Sequence, residues 1–87
     1  MSRELILEVD ATHQATALLA DDPEGLRQLL KELDRLPEDP RPPGSFPYGS
    51  PDLRRLRVGR YRVLSRITDE QILVGHIGRT AGSGRQE

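Results

Sequence analysis

The chain has no cysteine and no tryptophan, a single lysine, and only three aromatic residues. Without cysteine there are no disulfides, thiol nucleophiles or cysteine-type zinc sites, a usage that fits a reducing compartment. No run of 18 apolar residues exists, and "MSRELILEV" at the N-terminus lacks the apolar stretch of a signal peptide. A cytoplasmic protein off the membrane is expected. With so few aromatics the core must come from Leu, Ile and Val, which leaves little material for a deep ligand pocket, and no cofactor is expected. At 87 residues the chain is read as one domain over 1–79 with a flexible tail over 80–87. A domain this small buries only ~60 to 65 per cent of its unfolded surface, so partner binding should add stability.

What is present is arginine, unevenly placed. The formal net charge is -1, yet residues 1–40 carry ten acids against four bases, while residues 41–66 carry seven arginines against Asp52 alone. Such asymmetry points to nucleic acid or to an acidic protein partner.

"ELILEV" at 4–9 alternates as a strand, with Leu5, Leu7 and Val9 on one side. "ATHQATALLA" suggests a short helix capped by Thr12. A second helix follows from Asp22 as N-cap and Pro23 at the first helical position, with Leu26, Leu29, Leu30, Leu33 and Leu36 forming one apolar stripe until Pro37 ends it. "PEDPRPPGSFPYGSP" reads as an extended connector, in which Tyr48 would anchor against the core. Strands are expected near 53–58, 61–67 and 71–77, the first two joined by a tight turn at Gly59. The order β-α-α-β-β-β is most economically an α+β fold, a helical hairpin packed on one face of a small, mainly antiparallel sheet.

Strand alternation then sorts the arginines. Arg54 falls with Leu56 and Val58, whereas Arg55 and Arg57 fall on the opposite side; Arg62 and Arg66 oppose Tyr61, Val63 and Ile67. Arg55, Arg57, Arg62 and Arg66 can therefore gather on the face that no helix covers. Like charges across a hairpin are unfavourable by roughly 0.2 to 1 kcal/mol per pair, which suggests an anionic occupant. The plain alternative is a solvated basic face. The acids Asp21, Asp22, Glu38 and Asp39 show no metal-ligand spacing and are read as caps and solvated helix ends.

"LLKELDRLPEDPRPPG" followed by "LRRLRVGRYRVLSRITDEQILVGHIGR" resembles the RelE/ParE superfamily of bacterial toxin-antitoxin systems, over about residues 23–79, with "RVGRYRV" at 57–63 its most specific portion. The resemblance implies a toxin neutralised by a cognate antitoxin and, in the RelE branch, an endonuclease that cuts mRNA on the ribosome without metal. By position it places Arg55 and Arg57 among the basic residues of the strand before the turn, Arg62 at the scissile phosphate and Arg79 at the reacting phosphate, while Arg54, Arg60 and Arg66 would add RNA contacts. Guanidinium suits charge stabilisation but not proton transfer, and the one lysine, Lys31, lies on a helix. His76 is the candidate for proton transfer, although alternation places it with Ile72 and Val74. Ser65 stands where the family commonly has Tyr, and "TAGSGRQE" offers no terminal aromatic or His. Two alternatives follow: a ParE-like, non-catalytic inhibitor of DNA gyrase, and an attenuated toxin that retains only antitoxin binding.

Overall fold

Asp22 organises the first half of the chain. In the computed structural model, which describes residues 3–80, α1 (Val9–Asp21) and α2 (Pro23–Leu33) meet at this residue. Its N–H closes α1 on the Leu18 carbonyl at 2.7 Å, and its Oδ1 accepts from Gly25 N–H at 3.1 Å as the N-cap of α2. A Cβ at position 25 would stand 2.1 Å from Asp22 Oδ2, so the carboxylate can lie over the helix only because residue 25 is glycine. Leu26, Leu29 and Leu33 are fully buried, as their spacing predicts. The helix ends at Leu33, short of Pro37, and a tighter Leu36 N–H to Leu33 carbonyl bond of 3.0 Å still carries Leu36 into the core.

The first strand is shorter than its alternation suggests. β1 (Glu4–Leu7) runs parallel to β5 (Gln71–Arg79) only as far as Val74, and Glu8 N–H makes the last bond of that pairing, to the Val74 carbonyl at 2.9 Å. Glu8 is then the extended N-cap of α1. Thr12 is therefore not the cap: its N–H already bonds the Glu8 carbonyl inside the helix. Val9 starts the helix at 70 % exposure instead of extending the strand into the core.

Among the described residues the sheet has five strands where four were expected. β2 (Ser45–Tyr48), β3 (Ser50–Val58) and β4 (Tyr61–Ile67) join β1 and β5 in the order β1-β5-β4-β3-β2, antiparallel apart from the β1–β5 pair. β2 lies inside the proline-rich connector. As an edge strand it tolerates Pro47, whose missing N–H falls beside a register shift between Pro47 and Tyr48. Gly49, at φ 81°, turns the chain back into β3, and Gly59, at φ 56°, makes the β3–β4 turn.

The helical hairpin covers one face. Ala11, Ala15 and the α2 leucines pack there on Leu56, Tyr61, Val63, Ile67, Ile72, Val74 and Ile77. Burial of each large aliphatic side chain contributes about 1.5–3 kcal/mol. Of the expected tail, Thr80 is held by hydrogen bonds from its N–H and Oγ1 to the Arg60 carbonyl, and residues 81–87 lie outside the described residues.

Candidate functional site

The uncovered face is built by the β3–β4 hairpin. Its tight turn sets a register in which Arg57 stands directly opposite Arg62, Arg55 opposite Leu64, and Leu53 opposite Arg66. Val63, Ile67 and Tyr61 fill the core side of β4, so Arg62 and Arg66 are forced outward and are exposed, as are Arg55 and Arg57 on β3. Four of the predicted arginines thus share one face. Among the described residues, none of these four forms an ion pair with a carboxylate. Their charges are left to solvent or to a ligand.

The face is not uniformly basic. Leu53, Leu64 and Leu73 are half-buried on it, and with Glu8, Tyr48, Arg66 and His76 they line a shallow cavity of about 290 Å³. Tyr48 is not a core anchor: the Arg55 guanidinium lies over its ring, 5.8 Å from the centroid. Phe46, 60 % exposed, stands opposite Arg55 on β2. Arg57 and Arg62 form one end of the face, and Arg66 stands past Leu64 beside the cavity.

His76 reaches this face through a break in alternation. Leu64 pairs with His76 but Ser65 pairs with Val74, so Gly75 is left without a partner. The slip reverses the sides of the residues beyond it. His76 turns away from Ile72 and Val74, joins Leu64 outside and is exposed, contrary to its expected place on the apolar side. Its ring leans over Gly78, where a Cβ would be 3.0 Å from the imidazole Nε2, and Gly78 is the cross-strand partner of Arg62. Its Nδ1 lies 3.2 Å from the Gln14 amide nitrogen.

The same slip takes Arg79 away. Opposite the buried Tyr61, Arg79 lies on the helix-covered side and binds Asp21. Tyr61 donates its hydroxyl to Asp22 Oδ2 at 2.8 Å, completing a cluster that ties the α1–α2 junction to β4 and β5. The tyrosine hydrogen bond, with that of Gly25 N–H, holds the Asp22 carboxyl below its ordinary range; burial, then the Asp22 bond, pushes the Tyr61 hydroxyl up; the Asp21 hydrogen bond raises Arg79. The structure does not bring Arg79 to the arginine face.

Arg54 and Arg60 stand apart as well. Arg54 sits on the covered side and is spent on β2, donating to the Ser45 carbonyl at 3.2 Å and to Ser45 Oγ at 2.9 Å. Arg60, at the hairpin tip, borders a cavity with Asp22, Gly25 and Gln28.

A sequence model of the ParE toxin of type II toxin-antitoxin systems, parDE, matches residues 9–83. The chain belongs to the ParE toxin family. Solved toxins share its fold at low identity. A chromosomal ParDE system from P. aeruginosa is 13% identical, with a TM-score of 0.75, over 91% of this chain and 97% of that one. E. coli RelE, a double arginine-to-alanine mutant in the free state, is 23% identical, with a TM-score of 0.76, over 95% and 88%. The archaeal RelE–RelB complex from Pyrococcus horikoshii is 21% identical, with a TM-score of 0.75, over 95% and 100%. No curated protein sequence matches. The family's ParE and RelE branches are thus both represented among neighbours of this fold.

Proposed function

We propose that this ParE-family chain is a RelE-like toxin that cuts mRNA on the ribosome, with its open sheet face as the RNA site and a cognate antitoxin as its inhibitor. The observation that carries the reading is the Arg57–Arg62 pair, directly opposed, exposed and, among the described residues, without a carboxylate, with His76 turned onto the same face. A phosphodiester between the two guanidinium groups would accept charge-assisted hydrogen bonds from both strands. In the reaction the substrate's 2′-oxygen bonds to phosphorus as the bond to the 5′-oxygen breaks. The nucleophile's proton is lost and the leaving oxygen gains one, while Arg57 and Arg62 stabilise the charge that builds on the phosphoryl oxygens. Arg55, over Tyr48, flanks the path of the strand. Primer extension on translated mRNA tests this: the chain should produce discrete cuts that Arg62→Ala strongly reduces, and unchanged cutting by that variant would remove Arg62 from the mechanism.

A ParE-like gyrase inhibitor is the second reading. Capture of Arg79 by Asp21 favours it, because the candidate phosphate site loses one predicted cation. A supercoiling assay separates the two, since a nuclease leaves gyrase unaffected.

A further inference from the structure

β5 is flanked by β4 along most of its length, but by β1 only from Gln71 to Val74. Past Val74 its second edge meets α1 instead of a strand. Gln14, half-buried on α1, takes the place that a neighbouring strand would have: its Oε1 accepts from Ile77 N–H at 2.8 Å, and its Nε2 lies 3.2 Å from His76 Nδ1.

These two contacts decide each other. A backbone N–H can only donate, so Ile77 holds the amide oxygen towards itself and the amide NH2 group towards the imidazole. The NH2 group can also only donate. Nδ1 must therefore offer its lone pair, and the ring proton belongs on Nε2. A proton on Nδ1 would face two donor hydrogens; turning the amide over would move the same conflict to Ile77 N–H, at a residue 1% exposed.

Nε2 is the ring atom that lies over Gly78, across from Arg62 and hence beside the Arg57–Arg62 pair. We infer that Gln14 is a positioning residue that holds His76 as a neutral Nε2–H hydrogen-bond donor to the phosphoryl oxygens gathered by Arg57 and Arg62. The inference rests on the RNA-site reading of this face. It replaces the proton-transfer role expected of this histidine from the sequence: an Nε2 that already carries hydrogen cannot take one from the 2′-hydroxyl, and Nδ1 is occupied. Among the described residues, Glu8 at the start of α1, Tyr48 on β2 and Arg66 on β4 line the cavity beside the ring, and Arg62 stands across from Gly78.

Long-range 1H–15N spectra of the full chain at a pH where the imidazole is neutral test the assignment directly. Wild type should show His76 with its proton on Nε2. Gln14→Glu keeps an acceptor for Ile77 N–H, so the fold persists, but offers a second acceptor to Nδ1 and should switch the ring to the Nδ1–H form. An Nδ1–H tautomer in the wild type, or the same tautomer in both proteins, would overturn the inference. Cleavage of translated mRNA by Gln14→Glu should fall roughly tenfold, by analogy with the low end of the loss when a partner that orients a metal-ligating histidine is removed. If the tautomer switches and cleavage by the variant is undiminished, the donor role is wrong. If the wild type cleaves no RNA while the tautomer switches, the RNA reading fails and the geometric role of Gln14 stands.

Discussion

The two faces of this sheet use arginine in opposite ways. On the covered face each arginine is spent inside the molecule: Arg54 on Ser45, Arg79 on Asp21. On the open face Arg57 and Arg62 oppose one another, and among the described residues no carboxylate reaches them. The residue type is the same. What differs is whether the neighbouring element brings an acceptor, as the α1–α2 junction does with Asp21 and Asp22, or brings another cation. The covered face spends its polar groups on stability, whereas the open face sets two like charges opposite one another, an arrangement that an anionic ligand would relieve.

The comparison makes predictions that differ by face. The largest stability effect belongs to the covered side: Leu29→Ala should destabilise by about 2–5 kcal/mol in chemical denaturation, because Leu29 is fully buried and the backbone around it cannot collapse freely. Arg62→Ala should show the reverse pattern. Cleavage should drop by about 10²–10³, as for loss of one preorganised donor to a developing oxyanion, with the denaturation midpoint unchanged or raised. Arg79→Ala is the matched control: it should lower the midpoint and spare cleavage, and the opposite result would place Arg79 in the RNA site after all.

A smaller effect comes from pH. The Asp22 carboxyl is held low in the folded state, chiefly by the Tyr61 hydroxyl, so its contribution is present above the unfolded carboxyl range near ~3.9 and is lost as pH falls through the lower folded value. Asp22→Asn should therefore be less stable than wild type near neutrality, with the difference narrowing below about pH 4. Parallel stability curves for the two proteins down to the acid transition would show that the α1–α2 junction is not sensed through this carboxyl.

Much of the covered face was legible in the sequence. Asp22-Pro23 marks a helix start by the chemistry of a missing N–H, and the leucines of α2 are spaced so that only one face can be apolar. The alternation of β4 placed Arg62 and Arg66 outside for the same reason. Less legible was whatever depends on a neighbour. β2 was hidden because Pro47 is acceptable only at an edge, and the sequence alone does not say where the edge is. His76 and Arg79 exchanged sides because one unpaired residue, Gly75, shifts the β4–β5 register. A glycine inside a strand was the available signal. Gln14 carried no signal: its role arises from the gap that β1 leaves beside β5.

The smallest predicted effect tests the comparison most directly. If Arg57 and Arg62 repel across the hairpin, replacing Arg57 by Glu should remove the repulsion and supply an attraction, raising stability by about 0.2–1 kcal/mol at low ionic strength. Salt should shrink the gain, because both side chains are exposed and such pairs are screened. Cleavage should be lost in the same variant, since a carboxylate in that position repels phosphate. The result that would undo the contrast is a destabilised Arg57→Glu protein at low salt. Arg57 would then be making attractive contacts of its own, and the open face would be a second structural use of arginine instead of a surface held ready for a polyanion.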